Sequence, residues 1–242
     1  MIKNEKVTIG GWHNYPIIYF FKQIKGCRKF AKFCLNCVGL RDLRLSFALP
    51  RSSIAFIGRQ CNGKELIGVE VGTQEGINAE SMLKTLNIKK LYLVDPFIPY
   101  TDKNMEKEEE VYLFKSKIVT ELDKILVLPE SSHSEENLIN FEKEAKKRLK
   151  SYNSVEFIKK MSDDALDDIP NKIDFVYIDG NHSYENVKRD LNNYYAKLKK
   201  GGYLCGHDCF FPNLGVQKAV LEFAANKTFI HFGVDDWLII KC

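Results

Sequence analysis

The chain has 242 residues, enough to bury a substantial core as one domain, and its 36 Lys and Arg against 32 Asp and Glu give a formal net charge of +4. It has no apolar run suited to spanning a membrane and no amino-terminal pattern of a cleaved signal, so we expect a cytoplasmic protein. In that compartment its seven cysteines are expected to be free thiols.

The first 64 residues are strongly basic and rich in aromatic side chains. They hold 12 Lys and Arg against 2 acidic residues, a balance of +10 that leaves −6 for the remainder. Three interpretations fit: a helix packed on the main domain, an interfacial helix on anionic lipid, or a basic lid over an acidic substrate. No nucleic-acid-binding module is recognisable, so we expect no nucleic acid partner. We therefore divide the chain into an extension over residues 1–64, with peripheral membrane contact left open, and a domain over residues 65–242.

A buried strand, a glycine-containing turn and a helix follow one another at the start of this domain. Residues 66–72 read LIGVEVG, residues 73–76 read TQEG, and apolar side chains then recur at helical spacing. Such a turn lets a ligand approach the backbone, and the helix amino terminus supplies unpaired N–H groups. The next strand, residues 91–94, ends in Asp95, whose carboxylate is placed to accept hydrogen bonds from ribose hydroxyls. The pattern predicts a nucleotide site.

The middle of the chain is polar and highly charged. We interpret residues 101–136 as an insertion that could form a mobile lid. After it, Glu142 and Lys146, and likewise Glu144 and Arg148, lie four residues apart, which predicts an exposed helix over residues 136–150. Residues 155–161 are predicted to be the third strand.

The strongest functional signal lies between residues 173 and 208. Apolar runs at 173–178 and 203–205 are followed by polar residues, and the stretch between them has helical spacing, so this is a strand, helix, strand unit. Ligands bind outside the carboxyl ends of the strands in an open parallel sheet, so the polar residues predict a site. These residues are Asp179, Asn181, His182, His207 and Asp208. The competing interpretation is that they only form turns and cap helices.

A nicotinamide dinucleotide is one candidate ligand, but its G-x-G-x-x-G fingerprint is absent, and Glu75 would place a negative charge where the pyrophosphate must sit. A ligand with a sulfonium and an amino-acid tail fits better. Residues 179–184 (DGNHSY) and 200–208 (KGGYLCGHD) resemble the class I S-adenosylmethionine-dependent methyltransferases, within them a family with a D-G-x-H-S-Y strand end and a later G-H-D strand end. The resemblance covers residues 65–242.

The resemblance implies an α/β, Rossmann-like methyltransferase fold. Its seven-stranded, mostly parallel sheet has the order 3-2-1-4-5-7-6 with helices on both faces, and a closing hairpin over residues 228–240 makes strand seven antiparallel. S-adenosylmethionine is the implied methyl donor. The expected cofactor-binding residues are Glu70, Gly72, Thr73, Gly76, Asp95, Ser162, Asp163 and Asp179.

Methyl transfer from a sulfonium is an in-line displacement that also requires removal of a proton from the acceptor. The candidate catalytic residues are His182, His207 and Asp179, because a neutral imidazole suits proton transfer. Asp179, His207 and Asp208 are also a candidate set of Mg²⁺ or Mn²⁺ ligands. We favour metal assistance at this stage because two carboxylates at adjacent strand ends would otherwise repel each other, although imidazole is a poorer ligand for so hard an ion.

The resemblance implies O-methylation of a sugar, a glycan or another small-molecule hydroxyl, with the oligomeric state left open. An oxidoreductase or hydroxylase on the same scaffold is one alternative, because fold does not determine function. A noncatalytic module that binds a nucleoside or a membrane is the other.

Overall fold

The computed structural model describes residues 50–98, 135–209, 214–232 and 236–242. The interpretations of residues 1–49 as part of a basic extension, and of residues 101–134 as a mobile lid, concern residues outside these ranges and stay predictions. No helix of the described ranges is both long and apolar enough to cross a membrane. The elements are α1 (Ser52–Cys61), β1 (Leu66–Val71), α2 (Ile77–Thr85), β2 (Ile88–Val94), α3 (Glu135–Leu149), β3 (Val155–Ile158), a 3₁₀ helix (Leu166–Asp168), β4 (Ile173–Ile178), α4 (Tyr184–Lys197), β5 (Leu198–Gly206), α5 (Leu214–Ala224), β6 (Thr228–Phe232) and β7 (Asp236–Ile240).

The strands form one seven-stranded sheet in the order β3-β2-β1-β4-β5-β7-β6. The first five strands pair in parallel, whereas β7 runs antiparallel to both β5 and β6. The predicted fold and strand order are confirmed. Because parallel strands end at the same edge, the residues that follow β1, β2, β4 and β5 are brought together there.

Three strand boundaries differ from the sequence prediction by three residues or more, the first being the start of β2, which lies at Ile88 and not at residue 91. The third strand was expected to reach residue 161 but ends at Ile158, because the Lys160 N–H turns back to the Ile158 carbonyl at 2.9 Å. The strand β5 begins before the predicted position, since Gly201 and Gly202 exchange hydrogen bonds with Lys241 at the end of β7, at 2.8 and 2.9 Å. The Lys-Gly-Gly segment is therefore part of the sheet.

Each face of the sheet has its own apolar core. One core packs α4 and α5 on the sheet, with Leu191 and Val220 fully buried. The other packs α1, α2 and α3, with Ile54 and Ile57 of α1 fully buried. The helix α1 lies within the predicted amino-terminal extension, yet its apolar side is part of this second core.

The helix α3 has one of its two predicted ion pairs. Lys146 Nζ lies 2.7 Å from Glu142 Oε1, as the four-residue spacing predicts. The pairing of Glu144 with Arg148 was wrong, because Arg148 faces α2 and places Nη1 3.3 Å from Glu80 Oε2. The arginine therefore joins two helices, which a count of residues along one helix does not reveal.

A glycine in the middle of β1 is required by packing against β4. A Cβ atom at Gly68 would lie 2.1 Å from the ring of Phe175, which is itself fully buried on the neighbouring strand. The aromatic ring thus occupies the space of the missing side chain, and the two strands share one close-packed layer.

We expect Gly68→Ala to lower the free energy of unfolding by about 1–3 kcal/mol, since the methyl group overpacks a full core. Urea denaturation of the full chain measures it. The control is Gly58→Ala in α1, where the nearest atom to a Cβ is 3.4 Å away; there we expect no loss, because alanine favours a helix. Equal stability of Gly68→Ala and the wild type would contradict this account.

Candidate active site

The loop after β1, residues 72–76, is placed by the ends of two other elements. Gly72 has φ +88°, and a Cβ there would lie 2.1 Å from the carbonyl oxygen of Asp179. Gly76 has φ +71°, and its Cβ would lie 3.0 Å from Leu149 of α3. Both predicted glycines are therefore explained by the approach of other parts of the chain, in a backbone region that favours glycine.

Asp95, predicted to bind ribose, fixes this loop by accepting three backbone hydrogen bonds. Its Oδ2 accepts from the N–H groups of Thr73 and Gln74, both at 2.9 Å, and its Oδ1 accepts from Phe97 at 2.8 Å. Gln74 and Phe97 have φ of 45° and 50°, which is unusual for residues other than glycine. Oδ2 already accepts two hydrogen bonds, but Oδ1 accepts one and has a second lone pair, so these bonds are compatible with a ligand hydroxyl on Oδ1.

Three buried polar atoms at or beside the loop have no hydrogen-bond partner within the described part of the chain. They are Glu70 Oε2, Thr73 Oγ1 and Asn78 Oδ1. The other Glu70 oxygen accepts from Asn78 Nδ2 at 2.9 Å. Burial raises the pKa of Glu70 to about 8, against the lowering effect of Asn78. Unsatisfied buried groups are costly, and a ligand that carries an ammonium group and hydroxyls would satisfy them.

Ser162 and Asp163, expected beside the adenine, are tied to α4 in this structure. Asp163 Oδ2 lies 2.6 Å from Arg189 Nε, and its Oδ1 accepts from Asn193 at 3.0 Å. The carbonyl of Ser162 accepts from the Tyr194 hydroxyl at 2.9 Å. The structure thus directs the Asp163 carboxylate toward α4, and its contact with the base stays a prediction.

At the ends of β4 and β5, three predicted side chains converge. His182 Nε2 lies 3.1 Å from Asp208 Oδ2 and 3.9 Å from Asp179 Oδ1. Asp208 has φ +60°, so the chain accepts an unfavourable backbone conformation at this position. The structure thus brings together three of the residues that the sequence analysis singled out at these strand ends.

The three side chains that could jointly hold a metal ion differ from the predicted set. Asp179, His182 and Asp208 each offer one ligand atom, all within 4.8 Å of one another. His207, predicted as the third ligand, instead places Nδ1 3.2 Å from Asp208 Oδ1, on the other carboxylate oxygen. Its backbone carbonyl accepts from Trp237 Nε1 at 3.1 Å. Within the described residues, His182 therefore takes the place that the sequence assigned to His207.

The surroundings of His182 favour its protonated form. Burial alone would lower its pKa, but the carboxylates of Asp179 and Asp208 outweigh that effect and raise the pKa to about 10. Burial likewise opposes ionisation of Asp208, yet its hydrogen bonds with the two histidines hold its pKa well below the usual range. The neutral imidazole expected from the sequence is therefore the less favoured form of His182, because two carboxylates flank the ring.

Arg51 is a site residue that the sequence analysis missed. Its Nη2 donates to Asp179 Oδ2 at 3.2 Å, and its Nη1 lies 4.0 Å from Asp236 Oδ1. Asp236 in turn accepts from the Ser53 N–H and hydroxyl, at 3.0 and 2.9 Å, and from the Tyr177 hydroxyl at 3.1 Å.

In the sequence, Arg51 was one of 12 basic residues of the extension. Arg51 and His182 supply positive charge beside Asp179 and Asp208, so a metal ion is not needed to relieve the repulsion between these carboxylates.

The profile of a family described as a methyltransferase domain matches residues 69–209, more than half of the chain. The chain belongs to this methyltransferase family. Membership implies S-adenosylmethionine as the methyl donor. The loop after β1 and the cluster at the ends of β4 and β5 both lie within the matched residues, whereas Arg51 and Asp236 lie outside them.

The chain is also similar to individual proteins. It is 29% identical over 145 residues to uncharacterized protein R132 of Acanthamoeba polyphaga mimivirus, an alignment that covers 60% of this chain and 52% of that protein. The chain thus spans about half the length of this curated relative.

Two solved structures share the fold. The O-methyltransferase NovP superposes with a TM-score of 0.53 at 19% identity, over 78% of this chain and 77% of NovP. A Corynebacterium glutamicum protein superposes with a TM-score of 0.50 at 14% identity, over 88% of this chain and 97% of that one.

We expect Glu70→Gln to change how stability depends on pH. With a pKa raised from 4.5 to about 8, Glu70 keeps its proton in the folded state where the unfolded chain has lost it, so the wild type loses stability as pH rises from 4.5 to about 8. The glutamine variant lacks this loss. Urea denaturation across this range should show that the free energy of unfolding of Glu70→Gln rises relative to that of the wild type as the pH increases. The exposed control Glu65→Gln should show no such rise. A constant difference would show that Glu70 ionises normally.

Proposed function

We propose that the protein is an S-adenosylmethionine-dependent methyltransferase that methylates a hydroxyl group of a sugar, a glycan or another small molecule. The observation that carries this proposal is the contact of Gly72 with the backbone of Asp179. It makes the loop with unsatisfied polar atoms adjacent to the cluster of carboxylates and imidazole. A donor on one side and an acceptor on the other would then be held in the proximity that methyl transfer needs.

The donor side fits the chemical groups of S-adenosylmethionine. The Glu70 carboxylate can accept a hydrogen bond from the ammonium group of the amino-acid tail, and the buried Thr73 hydroxyl is a second unsatisfied group nearby. An ammonium ion also favours the ionised form of Glu70 over the protonated one. Asp95 holds the loop, and its Oδ1, which accepts only the Phe97 N–H, has a lone pair left for a ribose hydroxyl.

On the acceptor side, the hydroxyl oxygen attacks the methyl carbon of the sulfonium. The carbon–sulfur bond breaks, its electron pair stays on sulfur, and the hydroxyl proton passes to the cluster. His182 is the candidate base, and it must first release the proton that Asp179 and Asp208 favour; the same carboxylates, at 3.9 and 3.1 Å, then stabilise the imidazolium that forms when it takes the hydroxyl proton. His207, on the other oxygen of Asp208, is the second candidate.

A divalent cation is the alternative means of activation. Asp179, His182 and Asp208 would hold it, and it would lower the pKa of the acceptor hydroxyl. The fit is poor, however, because an ion would have to share the Asp179 carboxylate with the guanidinium of Arg51 and to displace the proton of His182. We therefore assign no step to a metal.

We expect Asp95→Ala to weaken binding of S-adenosylhomocysteine by about 1.5–3 kcal/mol, the scale for losing hydrogen bonds to a charged group. Calorimetry measures this loss, with the exposed Asp167→Ala as control. An analogue without the ribose 2′-hydroxyl separates the two roles of Asp95. If Asp95 binds ribose, removing the hydroxyl weakens binding to the wild type but not to the variant. Equal losses in both proteins would restrict Asp95 to supporting the loop.

We expect His182→Gln to reduce turnover by about 10²- to 10⁴-fold, as loss of a general base does. The acceptor is first found by incubating the protein with methyl-labelled donor and a fractionated lysate. The exposed Glu185→Gln on the next helix is the control. Donor binding without any methylated product in any fraction would contradict the proposal and favour the oxidoreductase alternative; absence of donor binding would favour a noncatalytic module.

A further inference from the structure

We propose that Arg51 is a positioning residue of the acceptor site. Its guanidinium is a permanent positive charge next to Asp179, and it takes the place of the charge that a divalent cation would provide there. The catalytic part of this inference rests on the proposed function. The part on metal binding does not rest on that function, because it concerns only whether the carboxylates bind Arg51 or a metal ion.

The position of Arg51 is set by a well-anchored helix. Its carbonyl accepts the first hydrogen bond of α1, from Ala55 N at 2.9 Å, so the residue caps that helix. Ser53 bonds to Asp236 through both its N–H and its hydroxyl, and Ile54 is fully buried. The backbone from which the side chain extends is therefore already ordered, so only side-chain freedom is lost when the guanidinium reaches the site.

The guanidinium lies between two carboxylates from different strands. It contacts Asp179 at 3.2 Å and lies 4.0 Å from Asp236, and its carbon is 5.7 Å from the centre of the Tyr177 ring. An arginine is charged at every accessible pH and is the side chain best suited to a partly buried carboxylate. Buried carboxylates need such partners, so the folded protein already satisfies the electrostatic demand at the end of β4.

A divalent cation on Asp179, His182 and Asp208 would have to share Asp179 with this permanent charge. One Asp179 oxygen is hydrogen-bonded to Arg51, and a bound ion would be repelled by the guanidinium on the same carboxylate. If Arg51 lost its charge, the same three side chains would be a better cation site. Removing Arg51 should therefore create metal affinity.

The first experiment measures Mn²⁺ binding by electron paramagnetic resonance on the full chain, without donor or acceptor. We expect Arg51→Gln to bind Mn²⁺ at least about tenfold more tightly than the wild type, and Asp179→Asn in the same variant to abolish the gain. Arg59→Gln, an exposed change of the same charge on the same helix, should behave as the wild type. Tight Mn²⁺ binding by the wild type, or no gain in Arg51→Gln, overturns the proposal.

Folding of each variant is checked by thermal melting and by calorimetry with S-adenosylhomocysteine. If Arg51→Gln does not fold, Arg51→Met, which keeps the aliphatic length, replaces it with the same expectations. If neither folds, Mn²⁺ binding by the wild type decides: no binding supports the proposal, and tight binding overturns it.

The second experiment measures turnover once an acceptor is known. Wild-type turnover should be unchanged by a chelator. Arg51→Gln should lose about tenfold or more and recover part of it with Mn²⁺, while Arg51→Lys should keep most of the activity and donor affinity should not change. Equal losses in Arg51→Lys and Arg51→Gln, with no recovery by Mn²⁺, would reduce Arg51 to a structural residue. Because Mn²⁺ binding needs no acceptor, failure of the proposed reaction is distinguishable from failure of this inference.

Discussion

The close approach of Gly72 to the carbonyl of Asp179 is the constraint on which the rest of the site depends. The strands β1 and β4 are parallel neighbours, and the Asp179 N–H donates to the Val71 carbonyl at 2.8 Å, so pairing continues to the last residue of each strand. Any side chain at residue 72 would enter the space of the Asp179 peptide. Because this contact is between backbone atoms, it sets the separation of the loop and the cluster independently of side-chain rotamers.

Around that contact, the protein concentrates ionisable groups that are individually expensive to bury. The ionised carboxylates can be partly buried because each of them has a cationic or hydrogen-bonding partner. Asp179 pairs with Arg51, and Asp208 lies between His182 and His207. Such networks contribute little net stability, yet removing one member leaves its partner unsatisfied. The arrangement is better understood as a means of fixing geometry and charge than as a source of folding energy.

The sequence predicted the strand, helix, strand units because periodicity and polar residues at strand ends are local signals, and the strand order of the whole sheet was implied by the family resemblance. The convergence of Asp179, His182 and Asp208 followed from topology alone. Three details did not. Arg51 reaches Asp179 across 128 residues of sequence, and its helix carries no sign of its partner. The choice of His182 over His207 depends on side-chain positions, since His182 Nε2 lies 3.1 Å from one Asp208 oxygen and His207 Nδ1 lies 3.2 Å from the other. The engagement of Asp95 with its own loop depends on two further left-handed residues, which no pattern of residue types announces.

The bond from Trp237 to the carbonyl of His207 and the bond from Arg51 to Asp179 share one property: each joins the matched family region to a segment outside it. The donor loop has no such attachment to either outer segment among the contacts described above. Substitutions in α1 or β7 can therefore alter the charge and shape presented to an acceptor while the glycine loop keeps its form. In evolutionary terms, this architecture would let the cluster of carboxylates and imidazole vary under separate selection from the glycine loop.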